Sequence, residues 1–187
     1  MNVQHHRNFN MKRIDLNPLG AIQTLKKGVA VVKEHCKYWL SAGTALGIVR
    51  DDGLIPWDTD IDIEIMEEDL TVYLMRDLTK AGFLLIRTQQ EDGKYWQMAF
   101  LDQGTGFIFD IYTYQKEGVE YVNHNEHGQL RLPCTLIDNL ETCRFEGEEF
   151  FVPGPVEAYL THRYGMDWHT PKGSKDPWEK DANNIKK

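Results

Sequence analysis

Apolar residues recur at two periods along the chain, and the switches between them mark out the elements. In NPLGAIQTLKKGVAVVKEHC, Leu19, Ile22, Leu25, Val29 and Val32 fall three or four apart, the spacing of an amphipathic helix. Asn17 stands at its cap position and Pro18 in its first turn, both favoured at helix starts. KYWLSAG then predicts a short strand ending at Gly43, and TALGIVRDD a short helix closed by Gly53. Pro56 makes LIPW a connecting loop, because proline suits neither a helix interior nor a central strand. From Asp60 to Ile65 the alternation is strict. A strand there sends Ile61, Ile63 and Ile65 to one face and Asp60, Asp62 and Glu64 to the other.

EEDLTVYLMRDLTKAG predicts a helix with acids at its start, Lys80 near its end and Gly82 as its stop. FLLIRTQ, KYWQMAFLD and GFIFDIYTY read as strands, with QEDGK as a hairpin turn between the first two. VEYVNHN and EEFFVPG are weaker strands, and PVEAYLTHRYG is a short helix opened by proline and stopped by Gly165. This order predicts an α+β domain with a mixed, mainly antiparallel sheet flanked by helices. The expected organisation is a flexible leader over 1–15, one domain over 16–170 and a polar tail over 171–187.

Composition narrows the function. With 187 residues, 41% of them hydrophobic, the chain can bury a core of its own. Its formal net charge of -8 speaks against a nucleic-acid backbone as partner. No stretch approaches the roughly 20 apolar residues of a membrane span, and the first residues lack the apolar centre of a signal peptide. Cys36, Cys134 and Cys143 are odd in number and lack C-x-x-C spacing. They are read as free thiols, which points to a reducing, cytoplasmic setting. The pair His5–His6 belongs to the leader.

The acidic row is the chemical problem. Two unit charges 4 Å apart repel by about 4 kcal/mol at an effective dielectric near 20, so Asp58, Asp60, Asp62 and Glu64 need compensation. A solvated edge strand is one answer, since charges blunt such edges. A calcium loop is a second, but its sixth and twelfth positions require Gly and Glu, and Ile63 and Asp69 stand there. The third is a divalent-metal site for phosphate chemistry, in which a hard cation such as Mg²⁺, or Mn²⁺ in its place, supplies the missing positive charge.

Candidate supporting parts lie nearby. Gly43 and Thr44 stand at a strand-to-helix turn, where backbone N–H groups, a hydroxyl and a helix N-terminus favour an anion. Arg50 is a phosphate clamp or simply an ion pair with Asp51 or Asp52. Asp110 interrupts the apolar run of GFIFDIYTY. An aspartate in a sheet core needs a hydrogen-bonding partner or a metal, so it is either a structural acid or a third ligand beside Asp60 and Asp62.

GTALGIVRDDGLIPWDTDIDI resembles the signature of the LicD family of phosphorylcholine and fukutin-type transferases, within the nucleotidyltransferase superfamily. The match comprises the small-residue turn, Leu-Gly before an arginine, Gly-x-Ile-Pro-Trp-Asp and Asp-Ile-Asp. VPGPVEAYLTHRYGMDWHTP is similar to the family's C-terminal segment. The resemblance implies a nucleotidyltransferase-like fold in which Asp60, Asp62 and Asp110 are catalytic and hold Mg²⁺, with Asp58 auxiliary. It implies that Gly43, Thr44 and Arg50 hold donor phosphates, that Trp57 packs the loop or stacks on a base, and that Tyr164, Gly165 and Trp168 shape the site. Thr59 stands where many members carry aspartate, MEEDL lacks a basic residue often found there, and the cysteines form no zinc module.

The expected activity is metal-dependent transfer of a phospho-alcohol group, such as phosphocholine from a CDP-linked donor, to a sugar or glycan hydroxyl with release of CMP. Two alternatives stay open. One is transfer of NMP from an NTP to a small-molecule hydroxyl, with release of pyrophosphate. The other is a non-catalytic nucleotide- or metal-binding module.

Overall fold

The structure is a computed structural model, which describes residues 17–125, 128–172 and, for the backbone alone, 185–186. The leader expected over 1–15 and most of the tail lie outside the described residues. Five helices and ten strands are formed among those described: α1 Pro18–Val32, β1 Tyr38–Leu40, α2 Ala42–Asp51, β2 Asp60–Met66, α3 Val72–Lys80, β3 Phe83–Glu91, β4 Lys94–Asp102, β5 Ile108–Glu117, β6 Glu120–Asn125, β7 Gly128–Pro133, α4 Cys134–Ile137, β8 Glu141–Phe145, β9 Glu148–Val152, α5 Val156–Tyr164 and β10 Ile185–Lys186.

Eight strands form one mixed sheet. Its main path runs β1-β2-β5-β6-β7-β10, and β4 joins β5 while carrying β3 on its other side. Among the described residues only β2 and β5 pair in parallel, and the other pairings of this sheet are antiparallel. A separate hairpin joins β8 to β9. The sequence reading had left out β7, α4 and β8. Ile185 and Lys186, in the expected tail, pair with β7.

The first helix starts as its sequence directs. The Asn17 side chain accepts from the Leu19 N–H, and Pro18 opens the helix. Its buried face differs from the expected one. Leu19 is exposed, whereas Gly20, Ala21, Thr24 and Gly28 are buried with Leu25, Val29 and Val32. The cause is close approach to the sheet: a β-carbon at Gly28 would enter the Phe109 ring, and one at Gly20 would press on Phe107. Small residues therefore seat this helix and the strand aromatics fill the space.

The isoleucine face of β2 is wholly buried in the core, with Ile61, Ile63 and Ile65 at most 1% exposed. The QEDGK turn closes the β3–β4 hairpin at Asp92 and Gly93, both with positive φ, as a two-residue type I′ turn requires. The acids of EED form a single 3-10 turn, Glu67–Asp69, and Thr71 caps α3 by accepting from the Leu74 N–H. All three cysteines are free. Among the described residues, no helix is long and apolar enough to cross a membrane.

Candidate active site

The acidic row sits on an internal strand. β2 is flanked by β1 and β5, and Asp62 and Glu64 are buried. This disposes of the solvated edge strand, and the regular ladder with β5 excludes a calcium loop.

Asp58 reaches the row through a turn. Its N–H donates to the Ile55 carbonyl at 3.0 Å, with Pro56 and Trp57 between, a β-turn with proline at its favoured position. Asp58, Asp60 and Asp62 each offer a carboxylate oxygen, and these atoms lie within 4.8 Å of one another. Parallel pairing then brings in Asp110, which is directly opposite Asp62 in the register of β2 and β5. Partners in a parallel ladder point to the same face, so Asp110 joins the face of Asp60 and Asp62, beside which Asp58 lies.

Asp110 is almost fully buried. Its Oδ2 accepts from Gln97 Nε2 at 3.0 Å and lies 3.5 Å from Arg87 Nη2, while its Oδ1 is buried without a hydrogen-bond partner. A buried carboxylate oxygen left without a donor is costly. The set fits a hard divalent ion: all-oxygen ligands, excess negative charge and an unsatisfied oxygen. Asp58, Asp60, Asp62 and Asp110 are the residues that could hold it.

Electrostatics record the crowding. Burial, then the Asp60 carboxyl, push Asp58 up to about 8. Burial and the Asp60 charge raise Asp110 to about 7, against the pull of Arg87 and Gln97. Asp62 is driven well above the usual carboxylate range by burial and by the charges of Asp60, Asp58 and Asp110, with Arg163 opposing. Without a metal the cluster therefore retains protons.

Glu64 ends the row differently. Trp39 Nε1 donates to its Oε2 at 2.5 Å, and Arg163 Nη1 and the Tyr114 hydroxyl stand 3.4 Å from its Oε1. Arg163 comes from α5 and is itself buried, so this pair ties the C-terminal helix to the acidic strand.

The small-residue turn behaves as its types require. Asp58 Oδ2 lies so close over Gly43 that no β-carbon fits there, and a β-carbon on Gly47 would lie 2.6 Å from the Gly53 carbonyl. The Thr44 hydroxyl accepts from the Asp62 N–H at 2.8 Å, which pins α2 to β2 and leaves its proton free to donate. Gly43, Thr44, Asp58 and Asp60 border a cleft whose apolar walls are Pro18, Ile55, Pro56 and Phe107. Trp57, beside the cleft, is half-exposed. Arg50 is engaged elsewhere: its Nε and Nη2 donate to the two oxygens of Asp51 at 2.9 and 2.6 Å. It reaches a donor only by exchanging that partner.

Sequence reasoning had passed over Arg87, Gln97, Tyr112 and Arg163. Gln97 donates to both Asp110 and the Tyr112 hydroxyl, at 3.0 Å each. Arg163 carried a usable signal, since it follows Tyr159 and Leu160 at helical spacing on the buried face of α5.

Residues 35–155 match the family described as LicD/FKTN/FKRP, nucleotidyltransferase domain. Ribitol-5-phosphate transferase FKTN of Mus musculus is 25% identical over 96% of this chain, and its Homo sapiens counterpart 23% over the same share. The chain spans 41% of the length of each. An uncharacterized protein of Rickettsia prowazekii is 54% identical over 39 residues, 21% of this chain and 15% of its own length. Among solved structures, the lincomycin-bound lincosamide antibiotic adenylyltransferase LnuA superposes with a TM-score of 0.52 at 14% identity, over 79% of this chain and 86% of its own. That likeness identifies the fold as nucleotidyltransferase-like.

Proposed function

The chain belongs to the LicD/FKTN/FKRP nucleotidyltransferase-domain family, and from that premise we propose that it is a metal-dependent transferase of phospho-alcohol groups. The donor is a CDP-linked alcohol, the acceptor a sugar or glycan hydroxyl, and the products a phosphodiester and CMP. The observation that carries the reading is Asp110, in register with Asp62, with one buried oxygen unpartnered beside the compact trio Asp58, Asp60 and Asp62. Two of the relatives named above are ribitol-5-phosphate transferases, which supports a phospho-alcohol as the transferred group.

In this reading the donor's diphosphate enters the cleft beside Gly43 and Thr44, where the Gly43 and Thr44 amides and the Thr44 hydroxyl proton donate to its oxygens. Arg50 joins them on exchanging Asp51 for a phosphate oxygen. Asp60, Asp62 and Asp110 would hold Mg²⁺ or Mn²⁺, with Asp58 beside them. When bound, the metal offsets the negative charge of acids and diphosphate. Asp110 takes the proton of the acceptor hydroxyl. The hydroxyl oxygen forms a bond to the phosphorus bearing the alcohol, and the bond from that phosphorus to CMP breaks, with CMP leaving on the electron pair. A reducing, cytoplasmic setting belongs to the same reading and is supported by the three free thiols.

A second reading, transfer of NMP from an NTP with release of pyrophosphate, is supported by the adenylyltransferase with the similar fold. It uses the same acids on a different phosphorus. Incubation with Mg²⁺, each donor class and sugar acceptors, followed by mass analysis of products, separates the two. The expected products are CMP and a phosphodiester. Pyrophosphate with a nucleotide on the acceptor overturns the first reading. Nucleotide binding without turnover of either donor class decides neither enzyme reading against the non-catalytic module until the acceptor is known.

A further inference from the structure

Four residues stand in one line across the sheet. Asp62 on β2 is opposite Asp110 on β5, Asp110 is opposite Ala99 on β4, and Ala99 is opposite Arg87 on β3. Side chains opposite one another share a face, so Arg87 belongs to the acid face. The methyl group of Ala99 is the only side chain between them in this row, and the Arg87 guanidinium spans it to stand 3.5 Å from Asp110.

Simple alternation does not put Arg87 there. Leu85 pairs with Phe100 and Arg87 with Ala99, so Ile86 is an extra residue in a β-bulge. Without it Arg87 would fall opposite Met98, on the buried core face. Bulges commonly re-aim a side chain next to an active site. This one delivers a cation to the acids.

The other arginines near the acids have carboxylate partners outside the cluster. Arg50 holds Asp51 with both arms of its fork, and Arg163 is buried against Glu64. Arg87 has a side chain 46% exposed and only one long contact to Asp110, well beyond the 2.7–2.9 Å of a strong charge-assisted bond. Among the described residues its guanidinium makes no other polar contact, and guanidinium geometry matches phosphate oxygens.

We infer that Arg87 is a substrate-binding residue which grips an oxygen of the donor's diphosphate from the β3 side of the acidic cluster, opposite the Gly43 turn. This rests on the reading of the site as a metal–diphosphate centre, which both transfer reactions share. In the free protein Arg87 leans on Asp110; in the loaded protein Asp110 would serve as a metal ligand and Arg87 would be released to the phosphate.

Calorimetry with Mn²⁺ alone, and with inorganic pyrophosphate in the presence of Mn²⁺, tests it on wild type, Arg87→Gln and Arg87→Lys. Because Arg87 is half-exposed, both variants are expected to fold, which circular dichroism checks. Arg87→Gln removes a cation beside Asp110, so it should bind Mn²⁺ alone as well as wild type or better. It should bind pyrophosphate about 10- to 100-fold more weakly, the loss of a charged hydrogen-bonding partner. Arg87→Lys should fall between. Wild-type pyrophosphate affinity in Arg87→Gln overturns the role of Arg87 and leaves the metal centre standing. Absence of Mn²⁺ binding in the wild type overturns both.

Discussion

The carboxylate of Asp58 occupies the space that a side chain at Gly43 would need. A turn that the sequence suggests as a phosphate cradle is also the seat of an acid. Gly43→Ala should therefore displace Asp58 from Asp60 and Asp62. Because the obstacle is the end of a side chain, the fold should lose only about 1 kcal/mol or less. Mn²⁺ affinity should fall by about 10- to 100-fold. Urea unfolding and metal titration of the same variant separate these effects. In Gly47→Ala the obstacle is the Gly53 carbonyl, and a loss of about 1–3 kcal/mol is expected in urea.

The raised carboxyls make the metal-free protein less stable as pH rises. In the unfolded chain Asp58 and Asp110 ionise near their ordinary value of 3.8, whereas in the fold they hold their protons to about 8 and about 7. Below pH 4 both states are protonated and these groups contribute nothing. Between about 4 and 8 the unfolded state sheds protons that the fold keeps, so stability falls across this window and levels off above it. Urea midpoints in chelator at pH 5 and pH 8 should show the drop. Added Mg²⁺ should stabilise more at pH 8, because its ligands must be ionised.

Asp62→Asn and Asp110→Asn should each abolish transfer while the protein stays folded. Each takes an ionisable group from a crowded face, so metal-free thermal midpoints should hold at low pH and rise where the wild-type acids ionise. Unfolding of both would show the acids to be structural.

Glu64 and Arg163 should behave in the opposite way. The pair is buried on both sides, and removing one partner strands the other. Arg163→Met should cost about 3–5 kcal/mol, measured by urea unfolding. Glu64→Gln combined with Arg163→Met should recover part of that loss, since no charge is left unpaired.

The legible parts of the protein were those written in local pattern. The strict alternation of Asp60 to Ile65 gave the strand and both its faces, and Pro56 with Gly53 gave the loop that carries Asp58. Long-range pairing was legible only in part. The sequence grouped Asp110 with Asp60 and Asp62, but only the ladder says that Asp110 stands directly opposite Asp62. Leu19 misled because the buried face of α1 is set by Phe107 and Phe109, against which only small residues fit. Cys134–Ile137 is too short for a period to emerge, and in Gly128–Pro133 only Leu130 and Leu132 carry the alternation. Arg87 was hidden by the bulge, since one extra residue reverses the parity on which a strand's faces are read.

Parallel pairing of β2 with β5 also has a consequence for assembly. Parallel neighbours cannot be joined by a tight turn, and the connection here contains α3 and the whole β3–β4 hairpin. Asp110 and Asp62 meet only after that long excursion has closed, a step that costs chain entropy before any contact repays it. A fragment that stops short of β5 holds the trio but not its fourth acid. On the proposed metal reading, capture of an ion by all four acids would report that β5 has paired with β2.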